Sequence, residues 1–88
     1  MIMEQSESVT LTVRSFLFPD EPQAGFEPGR PLTLNVPLGT TVEQLLGRLY
    51  LKKLDQIGVT ALNGKLASGE CILSSGDAVD FYPLLDGG

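Results

Sequence analysis

Residues 31–49 read PLTLNVPLGTTVEQLLGRL, and the spacing of the apolar residues changes once along this stretch. As far as residue 36 the apolar positions alternate with polar ones, which is the period of a half-buried β-strand. From residue 42 they recur at i, i+3, i+4 and i+7, which is the stripe of an amphipathic α-helix. The alternating residues are Leu32, Leu34 and Val36, and the helical stripe is Val42, Leu45, Leu46 and Leu49. The stretch therefore predicts a strand, a short turn and a helix with one face to bury.

Signals for both ends of the helix flank this stripe. Thr40 and Glu43 have the spacing of a capping box, in which two side chains satisfy free backbone amides of the first turn. Lys52 and Lys53 suit the last turn, where cations interact favourably with the helix dipole. We therefore expect the helix to begin at Thr40 and to close before Ile57.

The segment before this stretch predicts the first arm of a hairpin. Ser8–Leu17 begins with a clean alternation of apolar and polar residues and is rich in β-branched side chains, which favours a strand. The alternation breaks at Phe16, where the strand either ends or is redirected by a bulge. Residues 19–30 hold three prolines and two glycines, a composition typical of a loop.

Three further strand signals follow the helix. Val59–Leu62 is short and apolar, and the Asn-Gly pair after it is typical of a tight turn. Lys65–Ser75 predicts a short strand and a connection, and Ala78–Pro83 alternates again after a Gly-Asp turn. The order of these elements predicts an α+β roll, a mixed sheet of four to five strands with one main helix packed across it.

Composition excludes several classes of function. The chain has 88 residues, a net charge of −5, no histidine and one cysteine, Cys71. An acidic chain repels nucleic-acid phosphates. Without histidine or a second cysteine it cannot build a Cys/His zinc site, a disulfide core or a His-based catalytic pair. No apolar run approaches the roughly 20 residues of a membrane span. We expect a cytoplasmic protein that is not an enzyme and binds neither nucleic acid nor membrane.

The Gly87-Gly88 pair at the end of the sequence has two interpretations. Average glycine usage places two glycines at a chain end in roughly one protein in 200, so an inert tail stays open. Glycine has no Cβ, however, so such a tail can thread a narrow channel and present an unhindered carboxylate at Gly88. We expect residues 1–7 to be a flexible N-terminal tail, residues 8–83 to form the domain and residues 84–88 to form an extended tail.

A group of apolar residues near the tail does not fit the predicted core pattern. The members are Phe16, Phe18, Tyr82, Leu84 and Leu85. The two phenylalanines either fold under the long loop or join a partner-binding patch that runs into the tail, since exposed apolar clusters mark interfaces.

Other reactive side chains have structural interpretations. Cys71 lies in an apolar neighbourhood with no adjacent cation, which favours a small core residue over a reactive thiol. Asp77 suits a turn, where aspartate side chains bind nearby backbone amides. Asp80 falls on the exposed face of the last predicted strand.

Several short motifs occur in an order that is characteristic of one family. They are Thr41-Val42-x-x-Leu45-Leu46, Leu62-Asn63-Gly64, Leu73-x-x-Gly76-Asp77-x-Val79, Phe81-Tyr82-Pro83 and Gly87-Gly88. Over residues 8–88 the chain thus resembles the ThiS/MoaD family of ubiquitin-like sulfur carriers. The resemblance implies a β-grasp fold. Asp86, beside the terminal pair, departs from the family pattern.

The resemblance also implies a mechanism. The carboxylate of Gly88 would be adenylated by a ubiquitin-activating-enzyme-like adenylyltransferase that uses Mg-ATP, while this chain binds no cofactor or metal itself. A persulfide sulfur donor would then convert the adenylate to a thiocarboxylate, with Gly87 threading the partner's channel. Sulfur would pass to a cofactor precursor bound by a further partner.

Two cofactor pathways and a different class of function remain open at this point. The long first hairpin loop and the Phe-rich first strand favour molybdopterin synthesis, with the large subunit of molybdopterin synthase as partner. The short connection from helix to strand favours the thiamine pathway, with thiazole synthase as partner. The third possibility is a ubiquitin-like modifier conjugated to other proteins through Gly88.

Overall fold

The computed structural model describes residues 7–84, in which five strands form one mixed sheet. The strands are β1 (Ser8–Ser15), β2 (Leu32–Pro37), β3 (Ile57–Leu62), β4 (Lys65–Leu66) and β5 (Ala78–Pro83). One α-helix, α1 (Val42–Tyr50), is followed directly by a 3-10 helix (Leu51–Gln56). The prediction of an α+β fold with one main helix on a mixed sheet is confirmed, and the arrangement is that of a β-grasp. Neither helix of the described residues is long and apolar enough to span a membrane.

The order of the strands in the sheet is β2-β1-β5-β3-β4. β1 pairs antiparallel with β2 and parallel with β5, and β5 pairs antiparallel with β3. The first and last strands of the described chain are therefore neighbours at the centre of the sheet. Because they run parallel, both finish at the same end of it.

The core lies between α1 and one face of the sheet. Every second residue of β1 is buried, as the alternation in its sequence predicts. The ring of Tyr50 meets Phe81 edge-on, with centroids 5.5 Å apart and planes at 76°, an arrangement that aromatic pairs favour. The buried apolar residues of this cluster are Val9, Leu11, Val13, Val36, Val42, Leu45, Leu49, Tyr50, Leu73, Val79 and Phe81.

The predicted capping box is displaced by one residue. The Thr41 side chain accepts a hydrogen bond from the backbone amide of Gln44 at 3.2 Å, and the Gln44 side chain accepts one from the Thr41 amide at 3.0 Å. Thr40 instead donates its hydroxyl to the carbonyl of Pro37 at 2.7 Å and so closes the turn before the helix. The assignment of Thr40 and Glu43 as the capping pair is therefore wrong.

The helical segment ends before Ile57, but in two parts. α1 stops at Tyr50, so the basic residue of its last turn is Arg48, and Lys52 and Lys53 belong to the 3-10 helix. Lys53 also contributes a specific contact, because its ammonium group donates to the carbonyl of Phe18 at 2.7 Å.

The first strand ends at Ser15, which resolves the break seen in its sequence. The Ser15 hydroxyl accepts a hydrogen bond from the amide of Leu17 at 3.1 Å. This local bond turns the chain away from the strand direction, as serine hydroxyls commonly do. No bulge is needed at Phe16, which is the first residue of the long loop.

Turn chemistry accounts for Asp77, as the sequence predicts. Its two carboxylate oxygens accept from the Ser74 amide at 2.7 Å and from the Asn63 side chain at 3.0 Å. Asn63 has a φ of 53° and in turn accepts from the amide of Ala78 at 2.9 Å. The turn after β3 is thus joined to the turn before β5.

Candidate functional site

The topology collects the residues of interest at one end of the sheet, here called the exit end, where β5 finishes. Ser15 of β1 pairs with Phe81 of β5 in parallel, so the long loop that follows β1 begins at this end. Ile57 pairs with Pro83, so the 3-10 helix that precedes β3 lies there too. Leu84, the last described residue, emerges between these two segments.

Leu84 is held by its backbone and exposes its side chain. Its amide donates to the carbonyl of Gln56 at 2.8 Å, which continues the pairing of β5 by one residue beyond the strand. The Leu84 residue is 61% exposed. The chain therefore leaves the sheet from a defined point with an apolar side chain in solvent. Leu85, Gly87 and Gly88 lie outside the described residues.

The long loop is fastened to the end of α1 by hydrogen bonds. The Asp20 amide donates to the carbonyl of Leu49 at 2.8 Å, and its carboxylate accepts from the amide of Lys52 at 2.7 Å. The buried Tyr50 hydroxyl donates to the carbonyl of Leu17 at 2.8 Å. Burial raises the pKa of Tyr50, and the nearby Asp20 carboxylate adds to the shift. Together these bonds fix the start of the loop against the helix.

The two phenylalanines of the predicted patch are largely in solvent. Phe16 is 57% exposed and Phe18 is 58% exposed. The Phe16 ring lies against Gly29, and the Phe18 ring meets Phe26 edge-on with centroids 5.2 Å apart. Both rings thus have contacts within the long loop, and Phe18 and Phe26 contribute to the walls of an open pocket of about 280 Å³.

Tyr82 lies on the face of the sheet that α1 does not cover. It is 39% exposed and follows Asp80, which faces the same way because side chains alternate along a strand. Asp80 is half-buried and accepts from the Arg14 guanidinium at 3.1 Å, an ion pair that raises the pKa of Arg14. The interpretation of Asp80 as a residue of the open face holds, with Arg14 as its partner.

Three exposed apolar residues at the exit end were missed by the sequence analysis. They are Leu51, Leu54 and Val59. A groove of about 310 Å³ runs beside the start of β3, and Leu54, Val59 and Gly58 contribute to its walls. The Leu51-x-x-Leu54 spacing was the available signal, but it falls in a 3-10 helix whose period departs from the stripe of α1.

Cys71 is half-buried and packs against the core cluster. Its sulfur lies 3.8 Å from the Ser68 hydroxyl. Within residues 7–84 no group of three or more histidine, cysteine, aspartate or glutamate side chains is placed to hold a metal ion.

Comparison with known proteins places the fold alone. No family model matches the chain, and no curated protein matches it significantly. Among solved structures it is similar to the Haloferax volcanii HVO 2177 protein, known from a solution structure, with a TM-score of 0.67 and 19% sequence identity. The match covers 100% of this chain and 94% of that chain. At this identity the likeness extends to the arrangement of helix and strands over the whole chain.

Proposed function

We propose that this protein is a sulfur carrier whose reactive group is the carboxylate of Gly88. The observation that supports this most directly is the position of Leu84, which is anchored by its amide to Gln56 at 2.8 Å and exposes its own side chain at the end of the sheet. A chain that leaves a rigid sheet at such a point is suited to insertion into another protein. The Gly87-Gly88 pair then supplies an end without side chains.

The proposed chemistry needs no side chain of this protein as catalyst. A partner adenylyltransferase joins the Gly88 carboxylate to the α-phosphate of Mg-ATP and releases pyrophosphate, which creates an acyl adenylate. The terminal sulfur of a persulfide then attacks the acyl carbon and displaces AMP. Cleavage of the remaining S–S bond by a thiol leaves the thiocarboxylate, which donates sulfur to a precursor held by a second partner.

Within this class we favour molybdopterin synthesis, with thiamine thiazole synthesis as the alternative. The long loop with exposed Phe16 and Phe18 adds an apolar surface beside the exit point, which suits a stable complex with a synthase subunit. In this proposal Phe16, Phe18, Tyr82, Leu84 and Leu85 contact the partner. The net charge of −5 favours partners with a basic docking face.

Intact mass of the purified chain tests the proposal. The protein is incubated with an adenylyltransferase of this class, Mg-ATP and a persulfide donor, and its mass is measured before and after. The expected result is replacement of one oxygen by sulfur, absent when Gly88 is deleted. High-mass conjugates that need Gly88 support the protein-modifier alternative instead. An unchanged mass under conditions that modify a known carrier refutes both.

A further inference from the structure

A bulge in β3 lies directly beside the point where the chain leaves the sheet. Ile57 pairs with Pro83 and Val59 pairs with Tyr82, so Gly58 is an extra residue with no partner on β5. Bulges redirect a strand locally and are common at sheet edges and next to functional sites. Here the redirected segment is the support on which Pro83 and Leu84 rest.

The contact at Gly58 is tighter than a side chain normally allows. A Cβ placed there would lie 3.0 Å from the Pro83 carbonyl oxygen, 3.1 Å from the Leu84 Cα and 3.3 Å from the Leu84 nitrogen. All three are backbone atoms, so they cannot rotate away as the end of a long side chain could. Gly58 is not among the residues with positive φ, so close approach and not backbone conformation is the reason for glycine.

We propose that Gly58 is a positioning residue that fixes Leu84, the residue from which the last four residues of the sequence continue. A side chain at this position would require the backbone of Pro83 and Leu84 to shift by a few tenths of an ångström, which would weaken the hydrogen bond from the Leu84 amide to Gln56. The inference deepens the proposed function and rests on it, since the tail matters as the group that partners activate.

Because only four residues follow Leu84, the position of Leu84 limits where the Gly88 carboxylate can reach. The four residues from Leu85 to Gly88 span at most about 14 Å when fully extended. The acyl carbon of Gly88 must therefore reach a partner's active site from a point fixed by Leu84, while the partner docks on the surrounding surface. Small misplacements of reacting groups cost large factors in rate, about a hundredfold for 1 Å in sensitive cases.

The test compares Gly58→Ala with Gly47→Ala. Gly47 is a matched control, because a Cβ there meets nothing within 4 Å and its φ is not positive. Amide hydrogen exchange at Leu84 is measured by NMR, and kcat and KM are measured for adenylation with the carrier as variable substrate. We expect Gly58→Ala to speed Leu84 exchange severalfold and to lower kcat/KM severalfold, while Gly47→Ala changes neither.

A second pair of variants covers the case in which Gly58→Ala does not fold. Leu84→Pro removes the amide donor to Gln56, and Leu84→Ala removes the same side chain but keeps the donor. We expect Leu84→Pro to lower kcat/KM at least tenfold below Leu84→Ala. Equal values for the two would overturn the inference.

The outcomes separate this inference from the proposed function. Leu84 exchange unchanged in Gly58→Ala, or faster exchange with wild-type kcat/KM, overturns the positioning role while leaving the carrier function intact. A wild-type chain that no adenylyltransferase of this class activates overturns the proposed function. In that case the exchange measurement still decides whether Gly58 holds Leu84 in place.

Discussion

Removing one buried hydroxyl should loosen the long loop and lower stability by a predictable amount. In Tyr50→Phe the ring stays in the core, but the Leu17 carbonyl loses a hydrogen bond of 2.8 Å. That carbonyl keeps a weaker bond from the Ser15 hydroxyl at 3.3 Å, so it is not left without a partner. We therefore expect a cost near the middle of the usual range, about 1 kcal/mol.

Thermal and urea unfolding measure this cost. For a domain of this size 1 kcal/mol lowers the melting temperature by about 4–8 °C. The matched control is Tyr82→Phe, which removes the hydroxyl of a half-exposed tyrosine on the open face and should change stability much less. A Tyr50→Phe variant as stable as the wild type would refute the role of this hydrogen bond in fastening the loop.

The same residue gives a dependence on pH. Burial raises the pKa of Tyr50 above its ordinary value of 10.0. Above pH 10 the unfolded chain therefore releases this proton while the folded chain retains it, so stability falls as pH rises through this region. Below pH 10 the Tyr50 hydroxyl is protonated in both the folded and the unfolded chain, so its contribution to stability is fully present. Tyr50→Phe should remove this part of the alkaline loss, and an unchanged alkaline profile would contradict the assignment.

Three further predictions concern the helix cap and the tail. Thr41→Ala should cost about 1 kcal/mol of unfolding free energy in urea, while Glu43→Ala is near neutral, because Gln44 and not Glu43 completes the cap. A larger loss of stability in Glu43→Ala than in Thr41→Ala would instead support Thr40 and Glu43 as the capping pair. Leu84→Asp should leave the melting temperature nearly unchanged and abolish partner binding in calorimetry; intact binding would refute the patch. One residue added after Gly88 should abolish thiocarboxylate formation in the mass assay with a stability change of about 0.5 kcal/mol or less. A large loss of stability would show a packing role for the tail.

The strands and the helix could be predicted because their patterns are periodic and their burial is one-sided. The capping box could not be placed with certainty from sequence, because Thr40 and Thr41 each precede a Glu or Gln by three residues. Thr40 with Glu43 and Thr41 with Gln44 both have the spacing of a capping box. The choice depends on the turn before the helix, where the Thr40 hydroxyl is already used by Pro37.

The candidate site was less accessible to sequence reasoning, since it depends on which strands are neighbours. Parallel pairing of β1 with β5 brings Phe16 and Leu84 to one end, and this follows from topology. The role of Gly58 could not be predicted from sequence, because its φ is not positive. Glycine is favoured there by a close contact with Leu84, which lies 26 residues later in the chain. Close backbone contacts between segments that are distant in sequence do not produce a periodic pattern of apolar residues.

The central place of β5 also has a mechanical consequence. A force that pulls on the chain beyond Leu84 along the strand direction would load β5. This strand is hydrogen-bonded to β1 on one side and to β3 on the other. The load is therefore shared in shear by both ladders at once, and neither can be opened one bond at a time from a free edge.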